Sequence, residues 1–226
     1  MTDWLTSDSH FGHTRIALYS GRMYLTDGKI DVAAMDRDLV ARWNSKVKPE
    51  DTVYHLGDFS LKRKAHQVAE YRKQLNGRIV LIKGNHDLPT SQLTQIFDEV
   101  HDDGVLPNAP RIYLRHIPMV NYPIEKYYAH LCGHVHERWS HITTPTGGKI
   151  INVGVDVNDL FPITLYHALH NAMGPGRPEP KPLVQCLSCS KGRGRAEFFT
   201  KGCPLCGSDK LENIVGTSYV APDEEV

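Results

Sequence analysis

Seven side chains of the types that bind metal ions lie in five short blocks along the chain. The blocks are Asp8-Ser9-His10, Gly57-Asp58, Gly84-Asn85-His86-Asp87, His116 and Gly133-His134-Val135-His136. Carboxylate oxygen, amide oxygen and imidazole nitrogen together suit divalent metals of borderline hardness. Each block alone is weak evidence, because isolated His and Asp residues usually belong to the core or surface. The ordered set of five predicts a centre for two metal ions.

A second group of metal-binding residues lies near the C-terminus. Two Cys-x-x-Cys pairs are separated by thirteen residues and comprise Cys186, Cys189, Cys203 and Cys206. Four thiolates form a closed tetrahedral zinc site, and a segment of about 35 residues is too short to fold on an apolar core alone. We therefore expect a zinc ribbon with one structural Zn²⁺; redox chemistry at the two pairs is the alternative.

Basic and aromatic residues lie between the two cysteine pairs: Lys191, Arg193, Arg195, Phe198, Phe199 and Lys201. Cations beside exposed aromatic rings can hold phosphates and stack bases, so this segment is a candidate for binding nucleic acid. A hairpin with a solvated face explains the same residues, and both interpretations stay open.

Strand-like and helix-like segments alternate through the first 170 residues, which indicates an α/β layered domain. Residues 4–7, 52–56, 78–82 and 128–132 read as strands, and four of the five polar blocks follow them directly. Apolar positions between residues 31 and 47 recur at helical spacing. Ligands of layered α/β folds bind at the carboxyl ends of strands, so the pattern places the metal ligands in one crevice.

The composition suggests how the chain is divided and where it acts. We predict a catalytic domain at 1–170, a Pro/Gly-rich linker at 171–182, the zinc ribbon at 183–216 and a disordered tail at 217–226. The formal charge of zero gives no general attraction to nucleic acid or membrane. Since no signal sequence or membrane span is evident, we expect a soluble cytoplasmic protein without a membrane partner.

Two motifs carry a resemblance to a known family. Ser7-Asp8-Ser9-His10-Phe11-Gly12-His13 opens the domain, and Asn152-Val153-Gly154-Val155-Asp156-Val157-Asn158 closes it. Over roughly residues 1–170 the chain resembles the calcineurin-like metallophosphoesterases, most closely their small DxHFGH subgroup. The resemblance implies a four-layer αββα sandwich of two mixed sheets with helices on the outside. A scaffold that has lost its metals is disfavoured, because every expected ligand type is present.

The resemblance also implies how the ligands divide between two metals. One metal would be bound by Asp8, His10, Asp58 and His136, and the other by Asp58, Asn85, His116 and His134, with Asp58 bridging. Mn²⁺ is the expected ion, and Fe or Zn are the alternatives. A bridging water that loses a proton near neutral pH would be the hydroxide nucleophile.

Two further residues of the third block are candidates for catalysis. His86 directly follows a ligand and could protonate the leaving alkoxide, while Asp87 could orient the His86 ring. His13 is a weaker candidate for a phosphate contact.

The second and third blocks bear on the substrate. Related protein phosphatases carry Gly-Asp-x-Val-Asp-Arg-Gly and Gly-Asn-His-Glu, whereas this chain has Phe59-Ser60-Leu61 after Asp58 and ends the third block in Asp87. We therefore predict a phosphodiesterase acting on a nucleotide or single-stranded nucleic acid. A phosphomonoesterase, or an adaptor that binds nucleic acid or protein through its ribbon, are the alternatives. Arg15, Arg22, Lys62, Arg63 and Lys64 could contact phosphate or could be solvated surface.

Overall fold

The computed structural model describes residues 1–22, 24–123 and 125–173, together with the backbone of three later strands. The strands are β1 Asp3–Thr6, β2 Leu25–Thr26, β3 Lys29–Ile30, β4 Thr52–His55, β5 Arg78–Ile82, β6 Glu99–His101, β7 Asp103–Leu106, β8 Ala109–Arg115, β9 Ala129–Cys132, β10 His141–Thr143, β11 Lys149–Asn152, β12 Ile163–Thr164, β13 Leu183–Cys186, β14 Arg193–Arg195 and β15 Leu211–Ile214. The α-helices are α1 Ile16–Tyr19, α2 Val32–Lys46, α3 Ala65–Arg72, α4 Thr90–Leu93 and α5 Leu165–Asn171, and short 3₁₀ helices span His136–Arg138 and Val155–Val157.

The chain divides into two compact units, each discontinuous in sequence. One unit comprises Met1–His13 and Val32–Pro180, and the other comprises Thr14–Asp31 and Lys181–Val226. The second unit contains α1, the hairpin β2–β3 and an antiparallel sheet in the order β14-β13-β15. The predicted linker beyond residue 173 and the predicted tail lie outside the described residues.

The first unit contains two five-stranded mixed sheets. The first has the order β12-β1-β4-β5-β6, in which β12 is antiparallel to a parallel set of four. The second has the order β10-β11-β9-β8-β7, with a parallel centre and an antiparallel strand at each edge. The prediction of an α/β fold with two mixed sheets is therefore confirmed.

A single buried core joins the two sheets face to face. Val80 and Ile82 of the first sheet belong to the same apolar cluster as Leu114, Leu131 and Ile151 of the second. Burial of each such side chain contributes about 1.5–3 kcal/mol relative to its exposure to water. This apolar contact therefore fixes the strand ends of one sheet against those of the other.

The outer faces of the two sheets are covered differently. Over the first sheet, Trp43 of α2 stacks on His55 of β4 at 6.3 Å between ring centroids. On the second sheet, the buried Cys132 and Ile150 pack with Tyr122 and Met119 from the segment after β8. Residues of the loop between β8 and β9 therefore contribute to the cover of the second sheet among the described residues. None of the described helices is both long and apolar enough to cross a membrane.

Candidate metal centre

The predicted metal ligands all follow the carboxyl ends of parallel strands. Asp8 and His10 follow β1, Asp58 follows β4, and Asn85 follows β5 of the first sheet. From the second sheet, His116 follows β8, and both His134 and His136 follow β9. Because the sheets pack face to face, the two sets of strand ends form one crevice.

Backbone hydrogen bonds join the ligand-bearing loops. The Asp8 N–H donates to the Gly57 carbonyl at 3.0 Å, and the His10 N–H donates to the Asp58 carbonyl at 3.0 Å. The loop after β1 is thereby fixed along the loop after β4. From the second sheet, the His134 N–H donates to both carboxylate oxygens of Asp8, at 3.1 and 3.0 Å.

Five of the seven ligands have backbone angles in the left-handed region. The φ values are 58° for Asp8, 50° for His10, 54° for Asp58, 71° for His134 and 48° for His136. Residues with a Cβ avoid this region, and holding one there costs about 1–3 kcal/mol. The surrounding packing and hydrogen bonds must offset this strain, which aims the donor atoms into the crevice.

Glycine is required at two positions because the backbone there approaches the candidate ligands closely. A Cβ on Gly84 would collide with the Asp58 carboxylate. A Cβ on Gly133 would collide with the Ser7 hydroxyl and the Asp8 carboxylate. A larger residue at either position would displace a carboxylate ligand.

The donor atoms of the first predicted metal group lie together. Asp8, His10 and His136 each offer a ligand atom, and these atoms lie within 4.8 Å of one another. His10 Nε2 lies 4.0 Å from Asp8 Oδ1 and 3.5 Å from Asp58 Oδ2. Asp8 and His10 are almost completely buried.

The donor atoms of the second group also lie close to Asp58. His116 Nε2 lies 3.3 Å from Asp58 Oδ2. The Asn85 Oδ1 atom lies 3.1 Å from His116 Nε2 and 3.1 Å from His134 Nδ1. One oxygen of Asp58 is therefore close to an imidazole of each group, as a bridging carboxylate requires.

Further hydrogen bonds orient two of the imidazole rings. His116 Nδ1–H donates to the Leu56 carbonyl at 2.7 Å, which leaves Nε2 as the ligand atom. His136 Nδ1 pairs with Asp156 Oδ2 at 2.8 Å, and the Asp156 side chain is 1% exposed. Such partners fix the tautomer and raise the basicity of a ligating histidine. The sequence pattern did not indicate this contact of Asp156, although the residue lies inside the closing motif.

The charges of the site fit divalent cations. Burial raises the pKa of Asp8. Burial would also raise the pKa of Asp58, but the neighbouring His116 and His10 hold it below its ordinary value. Burial would lower the pKa of His116, but the Asp58 charge and hydrogen bond raise it to about 9. Two buried carboxylates require compensating positive charge. Oxygen and nitrogen donors that converge on them suit divalent metal ions.

Asp87 forms hydrogen bonds to backbone amides, and its predicted role of orienting the His86 ring stays a prediction. Its carboxylate accepts backbone hydrogen bonds from Asp58 and Gly84, both at 2.8 Å, and from Phe59 at 2.9 Å. Asp87 therefore joins the loop after β4 to the loop after β5, and it positions the Asp58 ligand.

His86 and His13 lie beside the ligand His10. The His86 ring is half-buried and its centroid is 5.7 Å from that of His10. The His86 backbone N–H donates to Asp58 Oδ1 at 3.0 Å, which fixes this residue at the edge of the cluster. The His13 ring centroid is 5.3 Å from that of His10. Both rings are therefore placed near the crevice without belonging to the predicted ligand set.

The donor atoms lie together at the strand ends of two mixed sheets. This is the arrangement expected of a metal-dependent phosphoesterase. Residues 1–164 match the calcineurin-like phosphoesterase superfamily domain. The chain belongs to this superfamily.

Three comparisons show the range of similar proteins. The chain is 42% identical over 85 residues to an uncharacterized protein of Methanocaldococcus jannaschii, covering 37% of this chain and 46% of that protein. It is 30% identical over 194 residues to the Gene 66 protein of Mycobacterium phage D29, covering 71% of this chain and 91% of the phage protein. The crystal structure of a protein of unknown function from Aquifex aeolicus matches with a TM-score of 0.52 and 27% identity, covering 71% of this chain and 94% of the other.

The buried Asp156 generates a prediction about metal affinity. We expect Asp156→Asn to weaken metal binding about 10- to 100-fold, because His136 loses the partner that fixes its ring. Isothermal titration of the metal-free protein with Mn²⁺ measures this change. Asp159→Asn is the matched control, since Asp159 is an exposed residue of the same segment. Equal affinities of the two variants would contradict the positioning role of Asp156.

Proposed function

We propose that this chain hydrolyses phosphodiester bonds of nucleotides or single-stranded nucleic acids. The observation that carries the proposal is the position of Asp58 Oδ2, 3.5 Å from His10 Nε2 and 3.3 Å from His116 Nε2. Two divalent ions, with Mn²⁺ expected, would supply Lewis acidity and lower the pKa of a water when bound by these residues. Family membership supports metal-dependent phosphoester hydrolysis as the class of reaction.

The chain's own residues divide the remaining tasks. Asp58, held by its backbone contact with Asp87, keeps the two ligand groups at a fixed separation. Asn85 offers an oxygen donor without further negative charge. His86, at the edge of the cluster, would donate a proton to the leaving alkoxide.

The residues after Asp58 favour a diester substrate. Phe59 is completely buried, with its ring centroid 4.9 Å from that of Phe97. The Ser60 hydroxyl donates to the Phe11 carbonyl at 2.8 Å. These two side chains therefore serve packing rather than phosphate binding. A diester carries one negative charge where a monoester carries up to two, so it needs fewer cationic contacts.

The first test compares two small substrates. We expect the Mn²⁺-loaded protein to hydrolyse bis(p-nitrophenyl) phosphate faster than p-nitrophenyl phosphate, and Asp58→Asn to abolish the activity because the bridge is lost. Release of p-nitrophenolate is the measurement, and Asp102→Asn, an exposed residue, is the control. Undiminished turnover after exhaustive chelation would contradict the metal mechanism. A preference for the monoester would assign the chain as a phosphomonoesterase.

The second test concerns His86. His86→Ala should lose about 10²–10⁴-fold in rate on a diester with a poor alkoxide leaving group. The loss should be much smaller with p-nitrophenolate, which leaves without protonation. Initial rates on both substrates, with metal content measured in parallel, decide the matter. Equal losses on both, at unchanged metal content, would argue against an acid role.

We further propose that the C-terminal segment is a zinc ribbon that binds nucleic acid. Cys189, Cys203 and Cys206 and the side chain of Cys186 lie outside the described residues, and the proposal is supported by the spacing of the cysteines. The backbone of β13, which ends at Cys186, lies between β14 and β15 in an antiparallel sheet. Short antiparallel strands are the usual framework of a ribbon.

A triple substitution tests the ribbon better than a truncation, because residues 14–31 share a compact unit with residues 181–226. We expect replacement of Arg193, Arg195 and Lys201 by alanine to weaken polynucleotide binding. Log affinity falls as log salt rises, and the magnitude of this negative slope should decrease by about 2–3. Each phosphate contact that is lost no longer releases counterions on binding. Zinc content should stay at one per chain, and hydrolysis of small substrates should be unchanged. Polynucleotide binding equal to that of the parent chain would contradict a nucleic-acid role.

A further inference from the structure

Lys62 lies beside the metal-binding loop of the first block. A Cβ on Gly12 would collide with Lys62 Cε and would lie 2.9 Å from Lys62 Nζ. Gly12 lies between the ligand His10 and His13, whose ring centroids are 5.3 Å apart. The lysine side chain therefore crosses this glycine, and its ammonium group lies against the loop that carries two predicted ligands.

Hydrogen bonds hold the Lys62 backbone in this place. The Lys62 N–H donates to Ser60 Oγ at 3.1 Å, and Ser60 Oγ donates to the Phe11 carbonyl at 2.8 Å. The Leu61 N–H donates to the same carbonyl at 3.3 Å. The segment after Asp58 is thus fixed against the segment after Asp8, so the position of Lys62 follows from the backbone of the site.

Within the part of the chain that the structure describes, the Lys62 ammonium group forms no ion pair. Asp36, which contacts the same loop, accepts the Gly12 N–H at 3.0 Å and the Tyr71 hydroxyl at 2.8 Å. Lys62 is half-buried, and divalent ions held by the residues of this loop would repel its ammonium group unless an anion lay between them.

We propose that the Lys62 ammonium group binds a non-bridging oxygen of the substrate phosphate, an assignment that rests on the proposed function. An ammonium group is a compact point charge with three donors, which suits one oxygen of a phosphate rather than two-point recognition. A single such contact matches the single negative charge of a diester. Lys62 thereby determines how tightly the substrate phosphate is bound at the metal centre.

Three substitutions test this assignment in the full-length, Mn²⁺-loaded protein. Lys62→Met removes the charge at similar size, Lys62→Arg retains it, and Lys64→Met removes a neighbouring exposed charge. We expect Lys62→Met to lower kcat/KM on bis(p-nitrophenyl) phosphate about 10- to 100-fold, as for loss of a charged hydrogen bond. Lys62→Arg should restore most of the activity, and Lys64→Met should change it less than about 3-fold, within the range of surface substitutions.

Binding of inorganic phosphate tests the contact of Lys62 with phosphate independently of the proposed hydrolysis. Titration of each Mn²⁺-loaded variant with phosphate should show a loss of affinity in Lys62→Met alone, with manganese content unchanged in every variant. If Lys62→Met loses phosphate affinity but the parent chain hydrolyses no diester, the phosphate contact is supported and the proposed function is contradicted. Parent-like phosphate affinity and parent-like kcat/KM in Lys62→Met would overturn the assignment.

Discussion

The buried carboxylate of Asp58 is the interaction on which the rest of the site depends. Its Oδ2 atom lies close to His10 and His116, and its Oδ1 atom accepts the His86 N–H. A carboxylate removed from water in this way is costly unless positive charge and hydrogen bonds surround it. The close approach of Gly84 and the three amide contacts of Asp87 follow from that requirement, because they hold the loops tightly around Asp58.

The site is also a product of the packing between two sheets. The first sheet supplies Asp8, His10, Asp58 and Asn85, and the second supplies His116, His134 and His136. The donor atoms meet only if the apolar core that contains Leu114 and Leu131 holds the two sheets in a fixed position relative to each other. The same packing sustains the left-handed backbone of five ligands, at about 1–3 kcal/mol each. The packing energy of the core therefore holds the metal-donor atoms in positions that the local backbone alone would disfavour.

Some of this arrangement could be predicted from the sequence, because polar blocks after apolar strands are a local pattern. That pattern gave the candidate ligands and, with the resemblance, the two mixed sheets. The role of Asp87 could not be predicted, since its partners Asp58 and Phe59 lie nearly thirty residues away and are backbone amides. Asp156 pairs with His136 through a fold contact that leaves no spacing signal. The packing of Met119 and Tyr122 on the second sheet could not be predicted either, because it depends on tertiary contacts. The same holds for the second unit, which combines two separate segments of the chain.

A crystal structure of the Mn²⁺-loaded protein would show whether Asp58 joins two metal ions. Anomalous scattering at the manganese edge locates each ion without reference to the assigned ligands. We expect two peaks about 3.5–4 Å apart, with the Asp58 carboxylate between them and Asp8, His10 and His136 around one. A single peak, or two peaks that do not share Asp58, would contradict this expectation.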